Sequence, residues 1–173
     1  WISAFGDDVP QVLLGNASEG TQAVRIRSGD YDPTFPLGVY RRPAFLYDAI
    51  GAGTPIVRVR VDARLDGAQT FPPIDGDLIS NNLSVLVGNN PLGADCGFQL
   101  LESSDGHIYA GGCGLAPYAL GTSAVLGVYH QLEIELDFLA RTIAYIVDGA
   151  ELGQINFLPQ LTTNIVRSIS LQV

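Results

Sequence analysis

Apolar and polar residues alternate most strictly from Tyr129 to Phe138, where Leu132, Ile134, Leu136 and Phe138 interleave with Gln131, Glu133, Glu135 and Asp137. A two-residue period sends neighbouring side chains to opposite faces of an extended chain, so the stretch predicts a strand with one dry face and one wet face. A break at 139–141 returns the chain through a second apolar run at 142–147, and Asp148-Gly149 turns it again into 152–157. Asp and Gly both tolerate the positive φ of a tight hairpin. The expected unit is a three-stranded antiparallel meander.

The second strong alternation runs over 55–65, with Val57, Val59, Val61, Ala63 and Leu65 on one side and Arg58, Arg60, Asp62 and Arg64 on the other. Shorter strands are predicted at 11–14, at 20–27 with Val24 and Ile26 inward, at 44–48 and at 83–87. The closing strand, 165–173, is expected to put Ile165, Arg167, Ile169, Leu171 and Val173 on one face, and Val166, Ser168, Ser170 and Gln172 on the other. Residues 28–43 and 67–82, rich in Asp, Pro and Gly, read as loops, and 116–127 reads as irregular and apolar. No stretch of ten or more residues has a helical period, and no repeat period recurs. Some eleven short strands punctuated by turns predict an all-β chain: one domain, 1–173, built as a two-layer antiparallel β-sandwich of jelly-roll type. Residues 1–14 are expected as an edge strand or as a strand exchanged with a neighbour.

Cys96 and Cys113 flank two short runs joined by Ser103-Ser104-Asp105-Gly106. A four-residue turn there sets the two cysteines opposite each other on antiparallel strands, close enough for a disulfide. A disulfide implies an oxidising compartment. The alternative is a pair of buried thiols, and two cysteines with no nearby second His are a poor metal site.

The 20 glycines and 10 prolines are spread along the 173 residues, as many turns require. All nine basic residues are Arg, and 18 acidic residues leave a net charge of −9. Such a surface repels phosphate backbones, so no nucleic-acid partner is expected. No apolar run reaches the roughly 18 residues of a membrane-spanning helix, and no membrane span is expected. The chain begins at Trp1 and has no Met, which reads as a processed or excised product from which a signal peptide has been removed. The absence of Lys excludes Lys-Asn isopeptide cross-links.

The aromatic-His pair Tyr129-His130, the alternating strand, the short gap, the second strand ending in Val147-Asp148-Gly149 and the third strand resemble the concanavalin A-like lectin/glucanase superfamily, laminin-G-like domains in particular. Gly20-Thr21-Gln22-Ala23-Val24 is similar to an early strand of these modules. The resemblance covers about two thirds of the chain and implies a fold more than a ligand. It implies a secreted, extracellular or cell-surface module, and calcium as a cofactor bound by loop carboxylates. Asp75-Gly76-Asp77 and Asp30-Tyr31-Asp32 each offer two hard oxygen ligands, though neither completes an EF-hand loop.

Laminarinase-like members carry catalytic carboxylates on one strand in a Glu-x-Asp-x-(x)-Glu order, whereas here Glu133, Glu135 and Asp137 exchange the last two types. The wet face of a strand is expected to be charged in any case. If strand 55–65 is its neighbour, the two stripes form a cross-strand ion ladder. A neighbouring arginine favours the ionised carboxylate, which works against a general acid. No catalytic residue is assigned, and the chain is read as a non-enzyme. Asp30, Tyr31, Asp32, Tyr40 and Tyr118 are the candidate ligand contacts, with Tyr47 a further loop aromatic; each tyrosine serves equally well as a loop anchor. Asn16-Ala17-Ser18 and Asn82-Leu83-Ser84 match the glycosylation pattern, and His107 and His130 read as structural. No Gly-x-Ser-x-Gly or His-Glu-x-x-His motif is present. The first functional reading is a non-catalytic module binding a glycan or a protein through rim loops. The second is a structural subunit of a filament or coat whose partners are other copies of itself, and the third is a glycosidase.

Overall fold

The computed structural model describes residues 3–4, 11–14, 22–25, 38–41, 47–65, 80–88, 96–113, 115–159 and 161–172. Among these there is no helix, hence none long and apolar enough to cross a membrane. The described residues form fourteen strands: β1 (Ser3–Ala4), β2 (Gln11–Leu14), β3 (Gln22–Arg25), β4 (Gly38–Arg41), β5 (Tyr47–Asp48), β6 (Ile56–Arg64), β7 (Ser80–Val87), β8 (Cys96–Ser103), β9 (His107–Gly112), β10 (Leu115–Ser123), β11 (Tyr129–Asp137), β12 (Thr142–Val147), β13 (Ala150–Asn156) and β14 (Ile165–Gln172). They form an eight-stranded sheet ordered β1-β4-β14-β7-β8-β9-β10, with β5 also on β14, and a four-stranded sheet ordered β13-β12-β11-β6. β2 and β3 make a separate hairpin. Every pairing is antiparallel.

Alternation builds the smaller sheet. β11 pairs with β6 over nine residues without a slip, from Tyr129↔Arg64 to Asp137↔Ile56, and with β12 from Leu132↔Val147 to Asp137↔Thr142. Asp148 and Gly149 take φ of 50° and 79°, as a two-residue type I′ hairpin requires. Inward-facing Leu132, Ile134 and Leu136, all fully buried, share one core with Val85, Phe98 and Leu100 of the larger sheet. Val57 and Val61 pack against it half-buried. The chain is therefore an all-β sandwich, its two layers held face to face by apolar side chains worth about 1.5–3 kcal/mol each when fully buried.

Polar and aromatic contacts fix how the layers meet. The Tyr145 hydroxyl, buried on β12, donates to the Gly111 carbonyl of β9 at 2.8 Å, and its burial pushes the phenol pKa up. At one end Phe157 stacks on Phe98 at 5.7 Å and meets Phe138 edge-on at 5.4 Å, with the Arg141 guanidinium 4.5 Å from its ring centre.

Four local readings are corrected by the structure. β8 and β9 pair with Phe98 opposite Gly112 and Leu100 opposite Ala110, one step from the expected register. Ser103 accepts from the Gly106 amide at 3.1 Å, and Gly106 takes φ 86°, which closes a three-residue loop where four were expected. Gly97, not Cys96, therefore lies across from Cys113 and accepts its N–H at 3.0 Å. Cys113 leaves the ladder with φ 51°, and the Cys96–Cys113 disulfide forms across a Cα separation of 4.8 Å.

On β14, Val166 faces Val87 but Ser168 faces Leu86, so the strand carries one extra residue. This bulge reverses the phase: Val166 is buried ahead of it and Ile169 packs inward behind it, in place of the unbroken Ile165-Arg167-Ile169 face. Stretch 116–127 is mostly the edge strand β10, whose alternation is lost to Pro117, to Gly121 at φ 73° and to two register shifts. Strand β4 lies inside the expected loop 28–43, since its four residues, set between Pro36 and Pro43, are too few to show a period. Within residues 1–14, β1 pairs with β4 at the sheet edge, and β2 pairs with β3.

Candidate functional site

Two groups of acidic side chains stand out, one on each side of the smaller sheet. Outside, the register sets Glu133 opposite Arg60 and Glu135 opposite Arg58. The Arg58 Nε reaches Glu135 Oε2 at 2.5 Å and Glu133 Oε1 at 3.8 Å, so one guanidinium bridges both carboxylates. The bond to Glu135 and its charge raise the Arg58 pKa. The stripe continues with Gln131 donating to Asp62 at 3.3 Å, and ends with Arg64 5.1 Å above the Tyr129 ring. This is the cross-strand ladder that the two alternating stretches predict. Asp137 stands apart from it, accepting the Leu139 and Ala140 amides at 2.9 and 2.8 Å to shape the turn into β12.

Inside, at the end of the sandwich where β8 finishes and β11 begins, a polar cluster replaces the apolar core. Glu102 is fully buried and takes the Asn81 amide on Oε2 at 2.9 Å, while its Oε1 has no hydrogen-bond partner among the described residues. Burial pushes the Glu102 carboxyl above its ordinary range, and the Asn81 bond and the nearby His130 oppose it only in part. His130, also buried, accepts the Val125 amide on Nε2 at 3.1 Å and bonds Asp148 Oδ2 through Nδ1 at 2.9 Å. An accepting Nε2 carries no proton, so the proton sits on Nδ1 and is donated to Asp148.

Asp148 also takes the Gln131 amide on Oδ1 at 2.8 Å. Burial favours its protonated form, but the bonds from His130 and Gln131 outweigh that and lower the pKa. Glu102 and His130 are buried whereas the Asp148 side chain is 54% exposed, so the cluster runs from the core to the surface. The sequence reading missed Glu102 as a site residue, although a parity argument finds it: Cys96, Phe98, Leu100 and Glu102 occupy alternate, inward positions of one strand.

Tyr118 lies on β10 and is 38% exposed. Its hydroxyl packs over Gly153 of β13, where a β-carbon would sit 3.2 Å from it, so it links the edges of the two sheets. Tyr40 lies on β4. Asp30, Tyr31, Asp32, Asp75 and Asp77 fall outside the described residues, as does the Asn16 pattern. Of the candidate ligand contacts, the described ones, Tyr40 and Tyr118, lie on different strands, β4 and β10. Tyr47 meets the Thr54 hydroxyl as an anchor of its own turn. Asn82 is half-buried on β7, which is paired on both sides, rather than on a surface loop. His107 is exposed, edge-on to Tyr109 at 6.1 Å, and Tyr109 donates to Asp105 at 2.5 Å. Among the described residues no three His, Cys, Asp or Glu side chains are grouped so as to hold a metal ion.

No protein-family model matches the chain, and no curated protein matches its sequence.

Proposed function

We propose that the chain is a non-catalytic binding module of the concanavalin A-like, laminin-G-like type, a jelly roll that recognises a glycan or a protein through loops at one rim. The observation that carries this reading is Arg58 bridging Glu133 and Glu135. The carboxylates that a laminarinase-like enzyme would use serve as rungs of a ladder across β6 and β11, which leaves the resemblance as one of fold. The disulfide supports a secreted or cell-surface location. Calcium, if bound, is assigned to the Asp30/Asp32 or Asp75/Asp77 loops. The test is binding of the immobilised chain to a panel of glycans and extracellular proteins, with calcium or with chelator, alongside hydrolysis assays on β-glucans. Saturable binding without hydrolysis is expected. Hydrolysis that Glu133→Gln abolishes would replace this reading with the glycosidase.

A second reading, a structural subunit assembling through exchanged strands, is favoured by the β2–β3 hairpin, which joins neither main sheet among the described residues. A two-stranded hairpin is marginal alone, and its edges suit a neighbouring copy. Deleting residues 1–14 separates the two readings: a binding module keeps its oligomeric state, and a strand-donating subunit stops assembling.

A further inference from the structure

The turn between β10 and β11 exposes three aliphatic side chains in four positions, Val125 at 51%, Leu126 at 39% and Val128 at 47%. Backbone bonds tie this turn to the sandwich: Ala124 N–H to Gly106 at 3.0 Å, Gly127 N–H to Leu65 at 2.8 Å, and Val128 N–H back to Val125 at 3.1 Å. The remaining tie differs in kind, because the Val125 N–H donates to a side chain that titrates, His130 Nε2, at 3.1 Å.

We propose that His130 is a proton-operated latch on this apolar turn. With Nδ1–H engaged by Asp148, the incoming proton has one place to go, the Nε2 lone pair that Val125 uses. Uptake of a single proton from solvent turns that acceptor into a donor, and two N–H groups then face each other. Val125 must let go, while the imidazolium keeps Asp148. Two described carboxyl groups lie near the imidazolium from other elements, Asp148 on the β12–β13 turn and Glu102 on β8, and Asn81 on β7 is neutral. Asp105 and His107 flank Gly106 on the turn that receives Ala124, and Arg64 of β6 stacks on Tyr129 beside His130. The latch thus opens as pH falls, freeing an aliphatic turn at one rim.

The experiment is a nitrogen-15 NMR titration of the folded chain from pH 8 to pH 5, following both His130 ring nitrogens and the exchange protection factor of the Val125 amide. At pH 8 Nε2 should be unprotonated. Across the His130 titration, Val125 protection should fall about tenfold, the size expected for losing one hydrogen bond, while Tyr145 protection stays constant. Constant Val125 protection through that titration overturns the proposal, and so does finding the proton on Nε2 at pH 8. His130→Gln keeps an acceptor that does not titrate and should abolish the response, whereas a surviving response contradicts the latch. Glu102→Gln and His107→Gln should each retain it, and loss in either assigns the switch elsewhere. The wild-type titration decides the matter even where a variant does not fold.

Discussion

Glu135 and Glu102 are the same residue type on strands of one sandwich, and their surroundings make them different groups. Glu135 lies outside the smaller sheet under Arg58, at the rim of the solvent, with its charge answered by a guanidinium 2.5 Å away. Glu102 points between the sheets, takes the neutral amide of Asn81, and is pushed toward its protonated form by burial. The contrast teaches that a carboxylate here is assigned its work by the side of the pleat on which it falls. The outer set holds a register, and the inner one holds a proton.

Substitutions should separate the two glutamates. Glu102→Ala removes the acceptor of a buried amide and leaves a void, and we expect a loss of about 1–3 kcal/mol in urea unfolding. An equal loss for Glu135→Ala would erase the distinction. Tyr145→Phe strands the buried Gly111 carbonyl and should cost about 0.5–1.5 kcal/mol, with the fold retained by circular dichroism.

The pH dependence should carry opposite signs for Glu102 and Asp148. The raised Glu102 pKa gives stability that is complete below its ordinary 4.5 and is lost as pH rises through the folded value. Glu102→Gln should remove that decline from the thermal midpoint plotted against pH. The lowered Asp148 pKa gives stability present above its ordinary 3.8 and lost as pH falls through the folded value, so Asp148→Asn should flatten the acid side of the same plot. The smallest effect is expected for Arg58→Ala. At physiological salt its thermal midpoint should match wild type within error, and a small drop should emerge only at low ionic strength.

Much of the smaller sheet was legible in the sequence because a half-exposed strand writes its two faces into alternate positions. Val57 to Leu65 and Leu132 to Phe138 do so without interruption, and their pairing turned two charged stripes into the Arg58 ladder. Legibility failed wherever one residue changed phase. Gly106 in a left-handed conformation shortened a turn and shifted β8 against β9, and the extra residue on β14 moved Val166 inward. Pro117 and Gly121 hid β10.

The polar cluster was obscure for another reason. Asn81, Glu102, His130 and Asp148 come from four separate elements, and only the packing of two sheets brings them to one place. The strand period places Glu102 inward, but nothing local says that His130 awaits it across the core.

Whether the side of the sheet determines what a carboxylate does is decided by a carbon-13 titration of the Glu102 side-chain carboxyl in the folded chain. A midpoint above the ordinary 4.5 is expected. A midpoint at or below it would mean that Glu102 is solvated or paired with a cation, and would contradict the interior described for this sandwich.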